Sequence, residues 1–214
     1  MNRSQTLNEI ESTGVVAVIR ADSAAQCVDL CRALGEGGVT CWEVTMTTPG
    51  ALHAIEAVAH ELGEAGCVGV GSVLDEATAV SAAHAGANFI FGPTFNPAVV
   101  DAARRYGKVV VPGALTPTEI LAAWEAGADV VKVFPAGHFG PKYFKDIKGP
   151  LPQVKLTPTG GVNLDTADAW IKAGAACLGV GSALVNMTMV REGRFDELTT
   201  LAKQYINAVR VARG

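Results

Sequence analysis

Two side chains in this 214-residue chain stand among apolar neighbours and can do nucleophilic or acid–base work. Lys132 lies in Asp129-Val130-Val131-Lys132-Val133-Phe134-Pro135, an extended apolar run with one amine at its centre. A lysine is rarely buried without a partner or a task. Apolar surroundings favour a free amine over an ammonium, and the free amine is the form that attacks a carbonyl carbon to make an imine. Glu43 lies in a second such run, Cys41-Trp42-Glu43-Val44-Thr45. Strand alternation puts Glu43 and Thr45 on one face and Trp42 and Val44 on the other. A carboxyl held in such a place exchanges protons near neutral pH. If Lys132 and Glu43 face one interior, an amine and an acid share a site. The structural alternative is that Lys132 reaches water along its stem, or that the two form a buried ion pair that only fills space.

Glycines supply the other candidate chemistry. Thr159-Gly160-Gly161 and Gly181-Ser182 each follow an apolar run. Bare backbone N–H groups at such turns, beside a helix N-terminus, suit a phosphate. The alternative is a pair of tight turns where only glycine fits. Arg20, Ser72 and Pro93 close three more apolar runs. His53, His60 and His84 fall in helical stretches and read as surface residues; His138 follows Lys132 in a loop from which it could touch substrate, and is not expected to be catalytic. No His/Asp/Glu cluster falls at the run ends, so no metal is expected, and there is neither a nucleophile elbow nor a P-loop. Cys27, Cys31, Cys41, Cys67 and Cys177 are odd in number and scattered, as suits buried thiols in a reducing cytosol. Cys27 and Cys31 are spaced to share a helix face, but no second ligand pair with zinc spacing follows.

The elements that must position these residues repeat. Eight short apolar runs begin at Val15, Cys41, Cys67, Asn88, Val109, Val130, Val154 and Cys177. Their spacing is that of one strand plus one helix. Alanine-rich helical stretches lie between them: 23–34, 51–62, 76–84, 98–106, 118–124 and 166–172. Gly37-Gly38, Gly86, Gly127 and Gly174 stand where a helix must stop before the next strand. Thr116-Pro117-Thr118-Glu119 and Asn163-Leu164-Asp165-Thr166 read as helix starts. Residues 195–213 read as a closing helix. Eight such units predict an α/β fold, a (β/α)8 TIM barrel occupying residues 1–214 as a single domain, with its site at the carboxyl ends of the strands. An open doubly wound sheet is the alternative, but the first run ends in Arg20-Ala21-Asp22-Ser23 and not in a glycine-rich turn.

Bulk properties narrow the partners. Hydrophobic residues make up 49% of the chain and the net charge is −4; mean hydropathy is +0.27. Those values fit a folded globule, and the absence of a basic patch argues against nucleic acid or an anionic membrane. The start, Met1-Asn2-Arg3-Ser4-Gln5-Thr6, is polar, so no secretory leader is expected. No uncharged apolar stretch is long enough to suggest a membrane span.

With these residues in place, the chain resembles the 2-keto-3-deoxy-6-phosphogluconate (KDPG) / 4-hydroxy-2-oxoglutarate (KHG) aldolase family. The likeness runs from Val15 to about Leu184. It is carried by Gly14-Val15-Val16-Ala17-Val18-Ile19-Arg20, Glu43-Val44-Thr45, Gly69-Val70-Gly71-Ser72-Val73-Leu74, Val131-Lys132-Val133-Phe134-Pro135-Ala136, Pro158-Thr159-Gly160-Gly161-Val162 and Gly179-Val180-Gly181-Ser182. The resemblance implies a class I aldolase on a (β/α)8 barrel, cytoplasmic and typically trimeric, using neither cofactor nor metal. Lys132 would form the Schiff base and Glu43 would be the acid/base. Ser72 matches a hydroxyl position near the bound pyruvate unit, and Pro93 and Phe134 match pocket walls. Thr159, Gly160, Gly161, Gly181 and Ser182 match the site for the distal phosphate. The implied substrate is a 2-keto-3-deoxy-6-phospho sugar acid of the gluconate or galactonate type, with KHG as a further candidate. One position departs. Many phosphogluconate-type members carry a carboxylate-binding arginine four residues after the glutamate, and here Thr47 stands there. Glu43-Val44-Thr45-Met46-Thr47 is closer to the phosphogalactonate aldolases, in which an arginine matching Arg20 offers another anion contact. Two other readings remain: a phosphate-binding barrel of the isomerase or synthase type without imine chemistry, and a catalytically silent sugar-phosphate-binding relative.

Overall fold

A computed structural model describes residues 1–214 and sets the eight apolar runs side by side as parallel staves. They are β1 (Val15–Ile19), β2 (Cys41–Thr45), β3 (Cys67–Gly71), β4 (Phe89–Phe91), β5 (Val109–Val111) continued by β6 (Gly113–Ala114), β7 (Val131–Val133), β8 (Leu156–Pro158) and β9 (Leu178–Val180). The hydrogen-bonded orders are β5-β4-β3-β2-β1-β9 and β6-β7-β8. β5 and β6 are one stave interrupted at Pro112, which has no N–H for a ladder. Below the break the stave pairs with β4 and above it with β7. Bridges from Leu156 to Ala175 and from Thr159 to Gly179 join β8 to β9 and close the ring. The expected (β/α)8 barrel is the observed fold.

The helices are α1 (Arg3–Thr13), α2 (Ala24–Glu36), α3 (Ala51–Leu62), α4 (Glu76–His84), α5 (Pro97–Arg105), α6 (Pro117–Glu125), α7 (Gly140–Lys148), α8 (Leu164–Lys172), α9 (Met187–Arg191) and α10 (Phe195–Arg213). Their ends follow the local signals. Thr116 and Asn163 cap α6 and α8 through reciprocal hydrogen bonds with Glu119 and Thr166. Gly38, Gly86, Gly127 and Gly174 take φ values of 90°, 101°, 99° and 95°, the left-handed turn that a side chain would oppose.

Alternation along the staves creates two cores. Outward residues such as Ile19, Trp42, Val44, Val70, Val131 and Val180 pack against the helices in a cluster of 54 buried residues. A second cluster of 10 fills the lower interior of the barrel, including Val16, Cys41, Cys67, Phe89, Val130 and Cys177. All five cysteines are free and buried. Ile10 of α1 belongs to the inner cluster and Leu7 packs against it, so α1 plugs the bottom of the barrel. Arg3 anchors that plug through two hydrogen bonds to Asp129, at 2.8 and 3.3 Å. With the lower end stoppered, the interior opens only upward, at the carboxyl ends of the staves.

Candidate active site

Val131 and Val133 of β7 point outward, so Lys132 between them points into the barrel, 5% exposed. Its Nζ lies 5.8 Å from the Phe91 ring centre and 5.3 Å from that of Phe134. Ring faces at that range offset part of the hydration an ammonium loses on burial. β2 repeats the pattern: Trp42 and Val44 face the helices, and Glu43 turns inward and is fully buried.

Lys132 Nζ and Glu43 Oε1 are 4.0 Å apart. That is ion-pair reach but too long for a hydrogen bond. Neither Glu43 oxygen has a hydrogen-bond partner. Burial holds the Glu43 carboxyl above its ordinary range, against the opposing pull of Lys132 and Arg20. A pair serving only stability would close to hydrogen-bonding distance, since burying two charges is otherwise costly. This pair leaves its oxygens free beside the amine, as a proton shuttle acting on a third body requires.

A cavity of about 340 Å³ opens above the amine. Of the residues expected at the site, Arg20, Ser72, Pro93, Phe134 and Thr159 line it beside Lys132. Gly160, Gly161, Gly181 and Ser182 wall its β8–β9 side. Glu43 does not line it: the fully buried carboxyl lies 4.0 Å from the Lys132 amine that does. Thr45 and Thr47 do not form its wall: their hydroxyls are 2.7 Å apart, Thr45 is buried in β2, and Thr47 is exposed on the loop beyond. His138 is exposed and outside the lining.

Backbone geometry explains several of these placements. Gly160 and Gly161 have φ of 83° and 79°. A Cβ on Gly161 would lie 2.8 Å from the Gly137 backbone, so the loop after β7 closes on the loop after β8 only because neither carries a side chain there. Gly137 N–H donates to the Gly160 carbonyl, which fixes that approach. The N–H groups of Gly160, Gly161, Gly181 and Ser182 donate to no other backbone group and remain available to an anion. The Arg20 guanidinium stands at the same end, with Nη1 3.9 Å from where a Gly181 Cβ would be. Ser72 is the one non-glycine residue with positive φ, 60°. That turn costs about 1 kcal/mol.

Val18, Val162, Asn163 and Ala183 also line the cavity and were not singled out in the sequence. Val18 was accessible by alternation, because it is the register partner of Glu43 on β1. Asn163 was accessible as the cap of α8, just after the glycine pair. Val162 and Ala183 carry no chemical signal.

A family model described as KDPG and KHG aldolase matches residues 7–201. The 2-dehydro-3-deoxy-phosphogluconate aldolase of Treponema pallidum is 34% identical over 203 residues, covering 94% of this chain and 96% of that protein. The 2-dehydro-3-deoxy-6-phosphogalactonate aldolase of Escherichia coli is 30% identical, over 92% and 96%. Among solved structures, the KDPG aldolase of Legionella pneumophila, with pyruvate captured as a covalent carbinolamine, superposes with a TM-score of 0.86. It is 27% identical, over 93% of this chain and 97% of that one. The family model spans the staves that carry the buried amine, the buried acid and the glycine turns, and the chain belongs to the KDPG and KHG aldolase family.

Proposed function

We propose that this enzyme cleaves a 2-keto-3-deoxy-6-phospho sugar acid to pyruvate and glyceraldehyde 3-phosphate through an imine on Lys132, without a metal. One observation carries the reading. A buried amine lies 4.0 Å from a buried carboxyl with unpartnered oxygens, under a cavity whose far side is lined by free backbone N–H groups.

The Lys132 amine adds to the C2 ketone, and the carbinolamine loses water with a proton supplied by Glu43. Glu43, now the base, takes the C4 hydroxyl proton. The C3–C4 bond breaks, its electron pair moves into the protonated imine, and the aldehyde leaves. The resulting enamine is neutral, which replaces a carbanion too costly to form. Protonation at C3 and hydrolysis release pyruvate and restore the lysine. The amides of Gly160, Gly161, Gly181 and Ser182, with Arg20, hold the phosphate, so distal binding energy positions C2 against the amine. Ser72, Pro93 and Phe134 surround the pyruvate unit, and Thr159 stands between them and the phosphate-binding turn of Gly160 and Gly161. The substrate is of the 6-phosphogluconate or 6-phosphogalactonate type, in Entner–Doudoroff-like sugar-acid breakdown in the cytoplasm. KHG, cleaved to pyruvate and glyoxylate, is a second substrate. The chain works as one (β/α)8 domain in a homotrimer; exposed Leu74 and Phe139 at the mouth offer apolar surface to such an assembly. No helix is long and apolar enough to cross a membrane.

The test is intact and peptide mass after treatment with pyruvate and borohydride. A reduced pyruvate adduct on Lys132 is expected. Folded protein with no adduct at any lysine would refute the imine and favour a phosphate-binding barrel of another chemistry.

A further inference from the structure

Two of the three inward positions on β3 carry no side chain: Cys67 is followed by Gly69 and Gly71, while Val68 and Val70 face the helices. Gly71 does not have a positive φ, so its backbone conformation does not demand glycine. The space around it does. A Cβ built there would lie 2.6 Å from Glu43 Cδ and 2.7 Å from Cγ, with Oε1 nearer still. All three of the nearest atoms belong to that one side chain.

Register explains the encounter. Glu43 is paired with Gly69, and Gly71 is paired with Thr45. The Glu43 side chain therefore leans along its stave, toward the cavity, and comes to rest over Gly71. It cannot lean the other way, because a Cβ at Gly69 would meet the Phe89 ring, which already occupies that gap. The two glycines divide the interior between an aromatic ring from β4 and a carboxyl from β2.

We infer that Gly71 is a positioning residue for the reaction: its missing side chain is the slot that holds the Glu43 carboxyl beside the Lys132 amine. This rests on the proposal that Glu43 and Lys132 act together. Gly71→Ala moves the carboxyl without removing it, and an acid displaced by about an ångström costs roughly 10–100-fold in rate.

The experiment compares Gly71→Ala, Glu43→Ala and the double variant by kcat, KM, melting temperature and borohydride trapping of pyruvate on Lys132. Gly71→Ala is expected to lower kcat roughly 10–100-fold with KM within about three-fold of the parent, since binding groups are untouched. Trapping on Lys132 persists. In the Glu43→Ala background the same substitution lowers neither the residual kcat nor the melting temperature, because the group it collides with is gone. Three results each overturn the inference: turnover by Gly71→Ala within about two-fold of the parent, a loss expressed mainly in KM, or an equal fall in melting temperature with and without the Glu43 side chain. Failure of the underlying proposal looks different, as parent enzyme whose Lys132 takes no label.

Discussion

Replacing Thr159 with valine separates what stabilises this barrel from what its site is built to do. The Thr159 hydroxyl is buried in the cavity wall and has no hydrogen-bond partner; the residue is 7% exposed. It rests against Gly179 of β9, where a Cβ would meet Oγ1. Leaving a buried hydroxyl unsatisfied costs about 1–3 kcal/mol. Valine removes that cost at nearly the same shape, and its larger methyl gives part of the gain back by crowding Gly179. A net gain of about 1 kcal/mol is expected, a rise of about 2–4 °C in melting temperature for a chain of this size. Activity moves the other way. Thr159 lines the cavity, and a hydroxyl that turns from Gly179 to a charged substrate oxygen contributes about 1.5–3 kcal/mol, so kcat/KM falls about 10–100-fold. Urea unfolding of the ligand-free protein reads the first effect, provided the m-value is unchanged. Pyruvate release followed through lactate dehydrogenase reads the second. A valine variant less stable than the parent by 1 kcal/mol or more, or one with unaltered kcat/KM, refutes the reasoning.

Three further substitutions address the rest of the site. Lys132→Ala abolishes turnover and the borohydride adduct, and substantial aldol cleavage by it would end the imine account. Glu43→Gln slows turnover about 10²–10⁴-fold while pyruvate is still trapped, because acid–base help is lost but the nucleophile stays. The same variant makes a prediction about stability. Burial holds the Glu43 carboxyl above its ordinary value of 4.5, so the folded state binds this proton more tightly than the unfolded state. Its stabilising contribution is therefore complete below pH 4.5 and lost as pH rises through the raised value. Glutamine does not titrate, so unfolding curves should show the variant gaining on the parent as pH is raised above 4.5; a gap that shrinks in that direction would contradict the sign. Arg20→Gln raises KM for a phosphorylated substrate about 10-fold or more and leaves pyruvate trapping intact, since the guanidinium stands beside Gly181 at the free amides. An equal loss with pyruvate alone would instead place Arg20 at the carboxylate.

Much of this was legible because function here conflicts with burial. Lys132 and Glu43 stood out in the sequence as charges in apolar runs, and no packing argument wants them there. Period-two alternation then aimed them correctly, since Trp42, Val44, Val131 and Val133 all pack outward. Helix stops were equally readable, because a left-handed turn selects glycine whatever lies around it. The elements missed were those with weak local signals. α1 buries only Thr6 and Ile10, too few apolar positions to mark an amphipathic face. α7 opens on Gly140-Pro141, which reads as a turn, and is settled by Phe144 packing edge-on against Trp170 at 4.9 Å.

What the sequence leaves hidden is space. Gly69, Gly71 and Gly179 sit inside staves, where glycine weakens a strand and signals only that something approaches closely. Which group approaches each one is a matter of register: Phe89 at Gly69, Glu43 at Gly71, Thr159 at Gly179. That register is set by pairing across three different neighbours and has no signature in any one segment. Two of those approaching groups, Glu43 and Thr159, also carry the buried oxygens without partners in the barrel interior. A polar atom kept unsatisfied is a stability cost, and a glycine that admits it adds the backbone cost of an empty strand position. Both costs fall on the same two pairs of residues, one holding the carboxyl beside the Lys132 amine and the other including Thr159 of the cavity wall. Folding alone selects against each of them, and the proposed role of Glu43 beside Lys132 gives the void at Gly71 a reason that packing does not.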